Sequence, residues 1–352
     1  MKTTPRTSRR TLLKTAAMGL AAPAILPRSA LGQATRITVA DVGGAPGEAI
    51  KTAFCEPFQE EFGIEVVNVV HDPDPVTQFK LVVDTESYIW DACMVTPDHV
   101  ARLAEAGDYM DPVELGDSAN GLIEGMATDD WAGFSVFGIV MAWRTDVYGE
   151  NGPKTWAEFF DTDAFPGRRG LYRGGGGMIE LALLADGVAP ADLYPLDLDR
   201  AFAKLDTIKD DVAVWWASGA QNTQILQSGE IDLTDTWAGR AYAAIDSGAP
   251  VEVTWNGLYS VDGWSICKGT PHLEEVREFI RFCMRPDRQG HYSSMVANGP
   301  THEQAFDFMD EARAHTMPTY PENIANLRML DSEWWTANSD KVSQRMQEWL
   351  LL

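Results

Sequence analysis

From Thr35 to Glu105, strand and helix signals alternate almost without a break, and this restricts the chain to one architectural class. Thr35–Val42 reads as a buried strand, followed by a turn carrying Gly43, Gly44, Pro46 and Gly47. Glu48–Phe62 repeats Ile50, Phe54, Phe58 and Phe62 at four-residue spacing, the signature of one helix face, and Gly63 stops it. Ile64–Val70 reads as a strand, Val76–Val83 as a helix and Ile89–Val95 as a strand. His99–Glu105 is a short helix ahead of Gly107. A β-α-β-α-β-α order gives a mostly parallel sheet with helices on both faces, an α/β fold.

The alternation continues to the end. Val136–Trp143 is an apolar strand, and Thr155–Phe160 is a capped helix. Gly170–Arg173 is a strand that opens into four glycines and a helix, Met178–Leu184. Helix Asp199–Lys209, strand Val212–Trp216, helix Gly219–Ser228, strand Ile231–Thr234 and helix Gly239–Ser247 follow. Val251–Thr254 and Gly263–Cys267 read as two separate strands. Leu273–Met284 is a helix ended by Pro286, and Asp331–Leu352 is one amphipathic helical stretch. The layout predicts two α/β lobes, 35–140 with 262–303 and 141–261 with 304–352. The chain would cross between them near Phe137–Trp143 and Asp262–Cys267.

The N-terminus carries an address. Ser8-Arg9-Arg10-Thr11-Leu12-Leu13-Lys14 precedes a weakly apolar stretch, Thr15–Leu26, and small residues around Ala30–Ala34 offer a cleavage site. Together these read as a twin-arginine export signal over 1–34 and place the mature protein in the periplasm. Pro23 and Pro27 interrupt the apolar stretch, which is too short for a membrane span. Removing 1–34 from 352 residues leaves 318, enough for two lobes. The segment lost holds six positive charges and no acidic one, so the formal net charge moves from −24 to −30. Nucleic acid and anionic membrane surfaces are poor partners for such a body.

Cofactor motifs are missing. The sequence contains no H-E-x-x-H, Walker loop, C-x-x-C-H or G-x-S-x-G, and the six histidines lack ligand spacing. No cofactor and no enzyme activity are indicated. Of four cysteines, Cys55 pairs most naturally with Cys93 and Cys267 with Cys283, with free buried thiols the alternative.

Five short motifs occur in order: Pro153-x-Thr155-Trp156-x-x-Phe159, Phe165-Pro166-Gly167-Arg168-Arg169-Gly170, Leu226-x-x-Gly229-x-Ile231-Asp232, Thr236-Trp237-Ala238-Gly239 and Glu333-Trp334-Trp335. With them the chain resembles the periplasmic solute-binding proteins of the spermidine/putrescine type that serve ABC importers. The resemblance spans essentially the whole mature chain. It implies a two-lobed periplasmic-binding-protein fold of type II with two hinge crossovers. It also implies closure on a small ligand, delivery to an ABC permease and its ATPase, no catalysis, and a monomer.

In open α/β sheets, ligands sit beyond the carboxyl ends of the strands. The candidate loops are therefore Asp41–Gly44, Thr96–Asp98, Arg173–Gly177, Trp216–Gln221 and Thr236–Arg240, with Asp262 near the hinge. Trp237 and Asp262 fall on positions resembling the family's contacts, an indole against an alkyl chain and a carboxylate for an ammonium. Arg240 departs from the diamine pattern, where an Asp can stand three residues after the tryptophan. A guanidinium there suits a carboxylate, so a ligand held by Asp262 and Arg240 would be an ω-amino acid such as γ-aminobutyrate. Some members of this broad family bind that compound, with a similar tryptophan–arginine pair.

Arg173 and its four glycines, together with Ser218 and Gln221 at a helix N-terminus, also suit an anion. Gly43 and Gly44 replace the first-lobe aromatic box and offer backbone contacts, helped by Thr96 or Asp98. A spare Asp41 or Asp98 would instead restore diamine binding, which keeps a polyamine as the alternative ligand. An exported enzyme is the alternative from another class. Ferric-iron binding, found in cousins of the fold, lacks its adjacent tyrosines here.

Overall fold

The computed structural model describes residues 35–352; the export signal expected over 1–34 lies outside the described residues. Eleven strands form one continuous sheet: β1 Arg36–Asp41, β2 Glu65–Val70, β3 Ala92–Val95, β4 Met110–Asp111, β5 Ala132–Arg144, β6 Arg169–Tyr172, β7 Val212–Trp216, β8 Leu233–Trp237, β9 Val251–Cys267, β10 Gly299–Pro300 and β11 Leu327–Met329. The main order is β2-β1-β3-β9-β5-β8-β6-β7. β1 runs parallel to β2 and β3, and β6 runs parallel to β7 and β8. The long central pair, β5 and β9, is antiparallel to each other and to the flanking β8 and β3.

The sheet therefore has two arms. One half of β9 pairs with β3 through Gly263–Ile266, and the C-terminal half of β5 pairs with β8 through Ile139–Trp143. β9 replaces the two separate strands expected from the sequence. Asn256-Gly257 reads as a turn, but the chain passes through it as a register shift opposite Ile139 and Met141. A Cβ on Gly257 would stand 3.2 Å from the Ile139 carbonyl carbon, so this close backbone approach requires glycine.

The first helix also begins earlier than the glycine-rich turn suggests. It runs from Gly44 to Phe62 with a π-helical turn at Lys51–Cys55. Phe54 and Phe58 are fully buried against Phe134, Phe279 and Tyr292, whereas Phe62 lies at the rim. Pro286 ends one helix and also opens another, Pro286–Val296, at a position where its missing N–H costs nothing.

Each arm has its own core. Trp143, Trp156, Phe159 and Phe202 pack with Trp335 and Trp349 of the C-terminal helix Ser332–Leu351 in one. Phe54, Phe58, Phe134, Trp264 and Phe279 fill the other. The cysteines are all free and buried. Their neighbours differ from those expected: Cys55 sits with Cys283 and Cys93 with Cys267, in separate clusters. The bridges Cys55–Cys93 and Cys267–Cys283 are therefore not formed, because closeness in sequence did not mean closeness in the sheet. Burial pushes all four thiols well above the usual thiol range.

The sequence motifs prove to be joints of the second arm. Arg168 donates from Nη2 to Asp232 Oδ1 at 2.6 Å and from its backbone N–H to Oδ2 at 2.7 Å, joining two of the five motifs. Thr155 and Glu158 form a reciprocal cap on helix Trp156–Phe160, and Trp156 Nε1 donates to the Asn256 carbonyl at 3.0 Å. Arg169 is 1 % exposed and donates to the carbonyls of Phe159, Gly167, Asp161 and Phe165 at 2.6–3.3 Å. It binds the chain entering β6 to the preceding helix. Arg169→Met is expected to cost about 3 kcal/mol of unfolding free energy, because it leaves those carbonyls without their charged donor. Urea titration checks this; a loss below about 1 kcal/mol would mean that water replaces the guanidinium.

Candidate ligand-binding site

The carboxyl ends of β7, β6 and β8 bring three aromatic rings together. Tyr172 closes β6 and lies between its neighbours, 4.6 Å from the Trp216 ring and 5.6 Å from Trp237. Trp216 and Trp237 meet edge to face at 5.2 Å. Trp216 is buried, while Trp237 stays partly open and presents the accessible surface of the wall. Behind them is Asp235, 2 % exposed. Its Oδ1 accepts from Trp216 Nε1 at 2.8 Å and from the Tyr172 N–H at 3.0 Å. Burial lifts its carboxyl to about 7 against those hydrogen bonds. A mid-strand acid of this kind fixes the orientation of the aromatic wall.

Arg240 follows on the first turn of helix Ala238–Asp246. Its guanidinium lies against Gly219, the first residue of helix Gly219–Ser228; a Cβ there would stand 2.8 Å from Arg240 Cζ. Two sources of positive potential thus meet, a guanidinium and a helix N-terminus. The Arg240 side chain forms no ion pair or hydrogen bond among the described residues. Burial pulls its pKa down, and Tyr292 and Asp262 pull it back.

Asp262 approaches from β9. It stands opposite Ser135 of β5, which accepts a hydrogen bond from Asn298 Nδ2 at 3.0 Å. Tyr292 lies close by, with its hydroxyl buried near Ser135. Burial raises the Asp262 carboxyl to about 7, and Arg240 works against that rise. The two opposite charges influence each other without touching. Both are largely removed from water, a costly arrangement unless something spans them.

The other predicted residues are placed as follows. Ser218 caps the same helix by accepting from the Gln221 N–H at 3.3 Å, and Gln221 Oε1 returns to the Ala217 N–H at 2.8 Å. Their side chains are committed to the cap, and they stand beside Arg240 through Gly219. Arg173 is exposed and unpaired among the described residues. Gly43 and Gly44 have φ of 66° and 62°, and the Gly43 N–H is taken by Asp41 Oδ1 at 2.6 Å. Asp41 is fully buried and also accepts from Asn68, so it supports the loop and does not face a ligand. Thr96 donates to Asp98 Oδ1 at 2.6 Å and caps helix Pro97–Ala106. Sequence reasoning missed Asp235, Tyr172 and Tyr292. An acid in the middle of a strand flanked by Leu233 and Trp237 was the one available signal for Asp235.

The family described as bacterial extracellular solute-binding protein matches residues 53–322. The chain belongs to this family. As a solute-binding protein it is 32 % identical over 329 residues to the gamma-aminobutyric acid-binding protein of Pseudomonas aeruginosa, covering 91 % of this chain and 92 % of the relative. It is 23 % identical over 252 residues to the spermidine/putrescine-binding periplasmic protein of Escherichia coli, covering 68 % and 71 %. Among solved structures, an ABC transporter substrate-binding protein from Bradyrhizobium japonicum superposes with a TM-score of 0.84 at 31 % identity, over 90 % of this chain and 99 % of that one. A GABA receptor superposes at 0.82 with 31 % identity, over 90 % and 98 %. The α/β architecture is thus the two-lobed periplasmic-binding-protein fold.

Proposed function

We propose that this solute-binding protein captures an ω-amino acid, with γ-aminobutyrate the simplest candidate, and delivers it to an ABC permease and its ATPase. One observation carries the reading: Arg240, on the helix turn that follows Trp237, and Asp262 are opposite charges that influence each other and are unpaired among the described residues. A carboxylate is taken by the guanidinium and the helix N-terminus, an ammonium by Asp262, and the methylene chain lies on the indole. The names of two relatives support the same ligand. The lobes, 35–140 with 262–303 and 141–261 with 304–352, close on the ligand because only the closed form offers both ends of the clamp. The protein acts as a periplasmic monomer exported by the twin-arginine route, and it binds without turning its ligand over. A polyamine is the second reading, favoured by the aromatic wall, Asp262 and the E. coli relative; the positive charge of Arg240 weighs against it.

A thermal-shift screen of the mature protein against γ-aminobutyrate, 5-aminovalerate, putrescine and spermidine tests this. The ω-amino acids are expected to stabilise the fold by about 2.7 kcal/mol at a hundredfold excess over Kd, and the diamines not at all. A shift with diamines alone would overturn the proposal in favour of the polyamine reading.

A further inference from the structure

One short turn reaches both ends of the clamp. Helix Pro286–Val296 ends at Ala297, which has φ 53° and ψ 33°. A left-handed backbone is uncommon and costly for a residue with a Cβ. Here the surroundings enforce it. Val296, Ala297 and Asn298 are all buried, and the Ala297 N–H donates to the Ser293 carbonyl at 2.9 Å. Strained backbone persists only where packing over-determines it.

On one side the turn abuts the helix that carries Arg240. A Cβ on Gly239 would run into the Val296 carbonyl oxygen and would stand 3.0 Å from Asn298 Oδ1. Backbone thus packs on backbone at the residue just before Arg240. Arg313 fastens the same two helices further along. Its Nη1 donates to Asp246 Oδ2 at 3.2 Å and its Nε to the Ser294 carbonyl at 2.9 Å. The helices belong to different arms: Tyr292 and Val296 pack with Phe54 and Phe134, whereas Ala241 and Ala244 pack with Trp216.

On the other side the turn leads to Asp262. Gly299 and Pro300 pair with Val136 and Ser135 of β5, and Ser135 stands opposite Asp262. Asn298 Nδ2 donates to Ser135 Oγ at 3.0 Å. One amide side chain therefore holds the strand partner of Asp262 with its nitrogen and lies against the neighbour of Arg240 with its oxygen.

We propose that Val296-Ala297-Asn298 is a spacer that fixes the separation of Arg240 and Asp262 and so selects ligands by chain length. The proposal rests on the ω-amino acid reading and deepens it: these positioning residues decide how many methylenes fit between the two charges. A slack joint would let the charges follow ligands of any length. A turn locked by packing and hydrogen bonds keeps them at one distance.

Calorimetric titration of the mature protein with β-alanine, γ-aminobutyrate, 5-aminovalerate and 6-aminohexanoate tests this. The wild type is expected to prefer one length and to lose about tenfold in affinity for each methylene added or removed. Ala297→Gly loosens the turn and should flatten that preference to within about threefold, with folded stability little changed because relief of strain offsets the freedom of the unfolded chain. Gly239→Ala wedges the start of the Arg240 helix away from the turn and should move the optimum to the next longer ligand. A purely structural role would weaken all four ligands alike and keep their ranking. A ranking that both variants preserve, or a wild type indifferent to length, overturns the spacer and leaves the ω-amino acid reading intact. Flattening by Ala297→Gly supports the spacer even if Gly239→Ala does not fold. Binding of none of the four by the wild type overturns both.

Discussion

Arg240→Gln lowers the affinity for γ-aminobutyrate roughly a hundredfold, a loss of about 3 kcal/mol. The guanidinium lies against the Gly219 helix start, and a charge-assisted pair with a carboxylate is about twice as strong as a neutral hydrogen bond. Glutamine keeps the length of the side chain but removes both the charge and the fork. Putrescine affinity, if measurable, should rise, because a cation facing an ammonium is removed. The folded state should not suffer, since Arg240 pairs with nothing among the described residues and presses a positive group against a positive helix end. Calorimetric titration of the variant with both ligands decides the matter. An affinity for γ-aminobutyrate within threefold of the wild type would mean that the carboxylate binds elsewhere, with exposed Arg173 the next candidate.

The second large effect is on pH dependence. Burial holds the Asp262 carboxyl up to about 7 in the empty protein. An ammonium ligand binds the ionised form, so below pH 7 binding must first release a proton. Affinity is therefore level above about pH 7.5 and falls roughly tenfold per unit as pH drops below 7, or about 1.4 kcal/mol per unit. The charged and titratable groups around Asp262 are Arg240, which favours ionisation, and Tyr292, which stays neutral across this range. Asp235 has a carboxyl of similar value but lies behind the aromatic wall. Titrations at pH 5.5, 6.5, 7.5 and 8.5 give the profile, and Asp262→Asn isolates its source. The asparagine variant should bind weakly with the steep acid limb gone. A limb that persists in that variant would assign it to Asp235.

The two charges proposed as the clamp were singled out in the sequence because Arg240 departs from the family's pattern three residues after Trp237 and Asp262 resembles a family contact position. The arms were visible for a different reason. Glycines and four-residue spacing such as Ile50, Phe54 and Phe58 mark most of the longer elements within a few residues of an end, although helix Pro286–Val296 and the short strands β4, β10 and β11 gave no such signal. The failures occur where long-range packing overrides local signals. Asn256-Gly257 has turn chemistry, yet antiparallel pairing with β5 carries the strand through it. Gly44 reads as a turn glycine and begins a helix. Asp235 resembles the many other acids of this chain, and only the rings stacked over it give it a role. The cysteines were misjudged in the same way, since β9 brings Cys267 beside β3 and not beside Cys283.

Those cysteines carry one more consequence. All four thiols are sealed within the arm built on β1, β2 and β3, and none lies in the core of the arm built on β6, β7 and β8. A buried thiol held protonated is a poor nucleophile, so the native molecule resists oxidants and alkylating reagents alike. Reagents reach these sulfurs only when that arm opens. The protein thus contains its own clock for half of its structure: the rate of thiol labelling times the opening of one arm and is blind to the other.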